Sequence, residues 1–90
     1  MDDRRKRLIF RAWRRGFREI DLILGGFADA NADTLTDAEL DQFETLLGEH
    51  DQDVYGWIMQ QIPTPEAFET PLMARLKAFA EAGLAKESTR

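Results

Sequence analysis

The sequence predicts a small all-α bundle of four to five short helices. Three observations carry that prediction. Apolar residues recur at intervals of three and four, the period of one helical face. No stretch alternates apolar and polar residues with the period of a strand. The periodic segments are separated by short stretches rich in glycine, proline, aspartate and threonine, several with helix-start chemistry. Ninety residues allow one hydrophobic core, and short helices reach one only by packing on each other. Residues 1–85 are expected to form a single helical domain, and 86–90 a disordered tail.

In the first segment Ile9, Trp13, Phe17, Ile20, Leu24 and Phe27 form a helical stripe. Gly16 interrupts it, at a cost of about 1 kcal/mol in a helix interior. If Gly16 splits the segment, helices run over about 4–14 and 17–28. Gly16 is then the N-cap of the second, with Glu19 at N3. Gly25-Gly26 marks the expected end of that helix. Thr36 and Glu39 are spaced as a capping box, and Leu35 with Leu40 as a hydrophobic staple. They start a helix over about 37–47 that buries Leu40, Phe43, Leu46 and Leu47, with Gly48 at C′. Asp51 or Asp53 caps a short fourth helix burying Val54, Trp57 and Ile58, and Pro63 ends it. Thr64-Pro65-Glu66 reads as one further helix start and Thr70-Pro71 as another. The last helix carries Leu72, Leu76 and Phe79 and is expected to end near Gly83.

Composition excludes several chemistries. The chain has no cysteine and one histidine, His50, so thiol nucleophiles, thiolate metal sites, zinc sites and histidine-based triads have no material. Asp29, Asn31, Asp33 and Asp37 imitate positions 1, 3, 5 and 9 of a calcium loop. Thr34 replaces its glycine and Leu40 its bidentate glutamate, so a helix start explains the same letters better. No metal site and no catalytic residue is expected. No apolar run has the length of a membrane span, and the acids near the N-terminus do not suit a mitochondrial presequence. A cytoplasmic, mature protein is expected, or a matrix one in a eukaryote.

Charge is unevenly placed. Residues 1–20 hold eight Arg or Lys against three acids, a net +5; residues 21–90 hold four against fourteen, a net −10. Such a dipolar chain suits docking. Arg11, Arg14, Arg15 and Arg18 are the candidate partner-binding cations. Arg15 and Glu19, one turn apart, can pair locally or across an interface. A small basic-faced adaptor for nucleic acid or another protein fits this charge pattern, although the overall acidity argues against nucleic acid.

Arg15-Gly16-Phe17-Arg18-Glu19 reads RGxxE, close to the N-terminus and after Trp13. Leu46-Leu47, then Asp51-Gln52-Asp53-Val54 and Trp57-Ile58-Met59, follow downstream. Over roughly residues 5–80 this layout resembles the family of FAD assembly factors of succinate dehydrogenase, small five-helix proteins. The resemblance implies an assembly factor and not an enzyme. It implies binding to the flavoprotein subunit of succinate dehydrogenase, and in many bacteria of fumarate reductase, promoting covalent attachment of FAD to a histidine there. Carried over by position, Arg15, Gly16 and Glu19 face the partner, while Asp53 and Trp57 serve fold and helix start. The chain would hold no cofactor of its own and act on the partner's FAD. A monomer in the free state is expected.

Overall fold

A computed structural model describes residues 2–88. Five helices follow in order: α1 Asp3–Ala12, α2 Arg18–Asn31, α3 Asp37–Leu47, α4 Asp51–Ile58 and α5 Pro71–Ser88. Single 3-10 turns lie at Ala32–Thr34 and Glu66–Phe68. Among the described residues there is no strand. The chain breaks at Gly16, so the two-helix reading of the N-terminal segment holds.

The core forms where five apolar stripes meet. Leu8 and Ala12 of α1, Ile20, Leu24 and Phe27 of α2, and Leu40, Phe43, Leu46 and Leu47 of α3 are buried. So are Val54, Trp57 and Ile58 of α4, and Leu72, Met73 and Leu76 of α5. Phe27 is central, its ring 5.9 Å from Phe43 and edge-on to Phe79 at 5.7 Å. Each such side chain removed from water contributes about 1.5–3 kcal/mol. The stripe on α1 is turned from the expected phase. Leu8 and Ala12 face inward, while Ile9 and Trp13 are half-buried. The corner frees α1 from continuing the helical phase of α2.

The most local signal is realised in full. Glu39 N–H donates to Thr36 Oγ1 at 3.1 Å, and the Glu39 carboxylate accepts from Thr36 N–H at 3.0 Å. Thr70 likewise caps α5, accepting from Met73 N–H at 3.1 Å. Asp2 caps α1 by accepting from Arg5 N–H at 2.9 Å.

Several helix ends fall elsewhere than expected, each for a tertiary reason. Helix α2 runs straight through Gly25-Gly26 to Asn31. A methyl group on Gly25 would overlap the Trp13 indole, which lies flat on this glycine and donates its N–H to Asp29 at 3.1 Å. The glycine makes room for a ring and does not stop a helix. Gly48 is the C-cap itself, at φ −82°, and not a left-handed C′ residue. Helix α4 closes at Ile58, well before Pro63. Gln60 takes φ 59°, and Gln61 and Gln60 N–H donate to the carbonyls of Gly56 and Trp57, a Schellman closure without glycine. Neither Asp51 nor Asp53 caps α4: its N-cap is His50, without a side-chain bond. Thr64-Pro65-Glu66 begins only one 3-10 turn, with Phe68 stacked on Trp57 at 5.0 Å. Helix α5 continues past Gly83 to Ser88. Of the expected tail, Thr89 and Arg90 lie outside the described residues.

Ion pairs brace the helices. Arg4 holds Glu44 through two bonds, of 2.8 and 3.1 Å, and also pairs with Asp41, joining α1 to α3. Arg5 donates to the carbonyls of Ala32 and Leu35. Arg75 joins Glu39 at 2.9 Å and Asn31 at 3.1 Å. The calcium-like letters are thus put to other uses: Asp29 serves Trp13, and Asn31 serves Arg75.

Two expectations follow. Alanine normally gains about 1 kcal/mol over glycine inside a helix, yet Gly25→Ala should lose about 1–3 kcal/mol through overpacking against Trp13. Urea denaturation read by tryptophan fluorescence tests this, and a stabilised variant would refute the packing role. The second concerns acid. The Thr36 amide and then Arg75 hold Glu39 below its usual range, and Arg4 does the same for Glu44. Depressed carboxylates add stability that is complete above the unfolded value and lost as pH falls through the folded one. Stability should therefore drop below about pH 4.5, and Glu39→Gln with Glu44→Gln should flatten that slope. An unchanged slope in the double variant would remove these two groups from the acid transition.

Candidate functional site

The chain turns between α1 and α2 over Trp13–Phe17. Helix ends leave N–H groups without internal partners, and here two carboxylates from other turns take them. Asp21, in the first turns of α2, accepts from Arg15 N–H at 2.7 Å. Asp51, the first residue of α4, accepts from Gly16 N–H through Oδ2 at 2.6 Å. The other oxygen of Asp51 receives the Arg15 guanidinium, at 2.8 Å from Nε and 2.7 Å from a terminal nitrogen. Arg15 also donates to the Glu49 carbonyl at 3.3 Å. Its side chain is 12% exposed and that of Asp51 23%. The Phe17 ring then packs edge-on to Tyr55, one turn along α4, with centroids 5.2 Å apart.

This geometry explains Gly16. No glycine of the chain has a positive φ among the described residues, so conformational freedom is not the reason. A Cβ on Gly16 would sit 2.7 Å from Asp51 Oδ2. The glycine lets a carboxylate reach the backbone. The expected capping box does not form: Phe17 is the N-cap of α2, with no side-chain bond, and Glu19 lies at N2 and not N3. Arg15 pairs with Asp51 and not with Glu19.

The remaining candidate residues separate by exposure. Arg11, Arg14, Arg18 and Glu19 are exposed, and none stands in an ion pair among the described residues. Gly16 itself is exposed, with its N–H taken by Asp51. Trp57 is buried in the core. Asp53 is exposed in the first turn of α4, where a negative charge meets the positive end of the helix dipole.

Glu19 also stands at the edge of an apolar groove of about 210 Å³ between α2, α4 and α5, with Leu22, Ile23, Tyr55, Met59 and Phe79 in its walls. Leu22 is 50% exposed. Nothing in the sequence reading pointed to this groove, because its walls come from three segments far apart in the chain. The role of Asp51 was equally hidden, since its partners lie 35 and 36 residues away. The assembled surface offers a fixed backbone corner, a free carboxylate and an apolar trough. Among the described residues it holds no paired nucleophile and base. Its features suit contact with another molecule more than chemistry of its own.

Removing the Asp51 carboxylate strands a mostly buried guanidinium and an amide. Breaking a fully buried pair costs about 3–5 kcal/mol; partial exposure reduces this to about 1–3 kcal/mol for Asp51→Ala. Hydrogen exchange at the Gly16 amide should quicken in parallel. Full stability together with a still-protected Gly16 amide would show that the clamp does not hold the corner.

Residues 6–80 match the family model described as flavinator of succinate dehydrogenase. A relative from Acetobacter pasteurianus named FAD assembly factor SdhE is 44% identical over 73 residues, 81% of this chain and 67% of that protein. Relatives named succinate dehydrogenase assembly factor 2, mitochondrial, are 36% identical in Candida glabrata and 39% in Dictyostelium discoideum. They cover 90% and 77% of this chain. The chain spans 56% and 49% of the length of those two mitochondrial relatives. Among the described residues no helix is long and apolar enough to cross a membrane. The matched region takes in the α1–α2 corner, its clamp and most of the groove, and the chain belongs to the family of succinate dehydrogenase flavinators.

Proposed function

We propose that this protein is an assembly factor that binds the flavoprotein subunit of succinate dehydrogenase and promotes covalent attachment of FAD to it. It is not an enzyme in its own right. The observation that carries the reading is the exposed Gly16–Glu19 surface, held rigid from behind by Asp51 and left free in front. Attachment chemistry belongs to the flavin and to the flavoprotein that supplies the histidine. A helper lowers the barrier by holding that protein in a competent arrangement. Gly16 allows close approach of a partner backbone, Glu19 meets donors near the flavin, and Arg11, Arg14 and Arg18 flank the contact. Arg15 acts from inside, by holding the corner through Asp51. The groove beside Glu19, at about 210 Å³, falls below the roughly 300–1,000 Å³ of small-molecule sites. That supports assigning FAD to the partner and the groove to a partner side chain. Fumarate reductase, whose flavoprotein presents the same chemistry, is a second client under this reading.

The test is reconstitution. Apo flavoprotein and FAD are mixed with and without this protein, and bound flavin is read by fluorescence after denaturing electrophoresis. Wild type should raise attachment. Glu19→Gln should slow it about tenfold, or ~1.4 kcal/mol, the scale of a hydrogen bond to a charged group. Its stability should fall by no more than about 0.3–1 kcal/mol, the helix-dipole contribution of a first-turn carboxylate, because Glu19 stands in no ion pair among the described residues. Gly16→Arg is a poorer probe, since the new side chain also displaces Asp51. No rise with wild type, using a cognate flavoprotein, would overturn the proposal.

A further inference from the structure

The twelve lysines and arginines are not used alike. Arg4, Arg5, Arg15, Arg75 and Lys77 each stand in an ion pair. Lys6, Arg7, Arg11, Arg14 and Arg18 stand in none among the described residues, and all five are exposed. Lys6, Phe10 and Arg14 form one row at helical spacing, and Arg7 and Arg11 the row beside it. Phe10 is 57% exposed, with the Arg14 guanidinium 3.5 Å above its ring.

This arrangement has a cost that the fold does not require. Like charges three or four apart weaken a helix by tenths of a kcal/mol each. The helix dipole favours Arg11 near the C-terminal end of α1, but it disfavours Lys6 and Arg7 toward the other end. Acids are abundant, seventeen in all, yet among the described residues none forms an ion pair with these cations. Glu44 lies near enough to feel Arg7 and Arg11, but its two oxygens are held by Arg4. A merely solvated face would also lack the half-exposed phenylalanine. Arginine around an aromatic residue is the composition of protein interfaces. A lipid surface would need an apolar stripe to insert, and that stripe on α1, Leu8 and Ala12, is buried in the core.

We infer that the outer face of α1, formed by Lys6, Arg7, Phe10 and Arg11 together with Arg14 just past its end, is an electrostatic steering surface that captures an acidic patch on the flavoprotein before the Gly16–Glu19 corner engages. This rests on the function proposed above and assigns a division of labour within it. The cations of α1 set how often the complex forms. The corner sets what happens once it has formed. Steering of this kind raises association rates about 10- to 1,000-fold and fades with salt.

The experiment is stopped-flow association of full-length protein with apo flavoprotein across ionic strength. It compares wild type with Lys6→Gln/Arg7→Gln, which keeps strong helix formers on an exposed face and leaves untouched the arginines that flank the corner contact. The expected result is an association rate at least about tenfold lower for the variant at low salt. The gap should close near 1 M salt, where screening acts within about 3 Å, and the dissociation rate should change less than about threefold. Flavin attachment at saturating variant should match wild type. Equal association rates at low salt, with wild type still binding and promoting attachment, would overturn the steering role and leave the assembly function standing. Loss of attachment at saturation would also overturn it, by placing these cations in the orienting step. Capture of wild type, but not variant, by anionic vesicles or duplex DNA, with flavoprotein association unaffected, would reassign the face to a different partner. Absence of any association by wild type would bring down both readings.

Discussion

The Asp51 carboxylate is the constraint on which the rest of the site depends. Its two oxygens take different partners, one the Arg15 guanidinium and the other the Gly16 amide. One side chain from α4 thereby fixes both a cation and a peptide plane between α1 and α2. Without it the corner would be a short exposed connection, free to sample many backbone states at about 1–2 kcal/mol of entropy per residue. With it the direction in which α2 leaves the corner is set, and with that direction the place of Glu19, Leu22 and the groove. The Phe17–Tyr55 contact repeats the link one turn further along α4. A binding surface on rigid elements needs less ordering when a partner arrives.

The arginines divide along the same principle. Arg4 and Arg5 join α1 to α3 and to the Leu35 turn, and Arg15 joins the corner to α4. Those three face inward or along seams between helices. The others on this segment face water. A net +5 over twenty residues therefore contains two populations, one joining the helices and one exposed to solvent. Sequence alone cannot separate them, because every arginine in RRKRLIFRAWRRGFR looks alike until the turn of the helix is known. The step of about 100° between Leu8 and Ile9 decides which row of cations is displayed.

What could be read from the letters was what the chain settles locally. The Thr36–Glu39 box, the Thr70 cap and the core positions of α3 and α4 involve residues within a turn or two of one another, so spacing carries the information. What could not be read was what distant residues settle. Gly25 looked like a helix end because the ring that lies on it comes from Trp13, at the end of α1 and twelve residues away. Pro63 looked like the end of α4 because nothing marks Gln60 as a residue that enters left-handed backbone. Glu19 looked like a capping-box residue because the true acceptors of the corner amides are Asp21 and Asp51. RGxxE was visible as a string, but the reason for its glycine was not in the string. The family resemblance named a candidate surface; the packing behind it came only with the fold.

Gly16 illustrates why a motif residue can resist simple interpretation. On one side the absent side chain admits Asp51 Oδ2 to the backbone; on the other it leaves the corner open for a partner. Any larger residue has one Cβ, and that Cβ points at the carboxylate. A substitution therefore acts first on the fold, by displacing Asp51 and loosening Arg15, and only then on the approach of another molecule. Loss of activity in such a variant does not assign Gly16 to the interface. Glu19 differs because it is exposed and stands in no ion pair among the described residues. The short motif thus contains two kinds of residue at three positions: Arg15 and Gly16 give the corner its shape, and Glu19 stands exposed beside it.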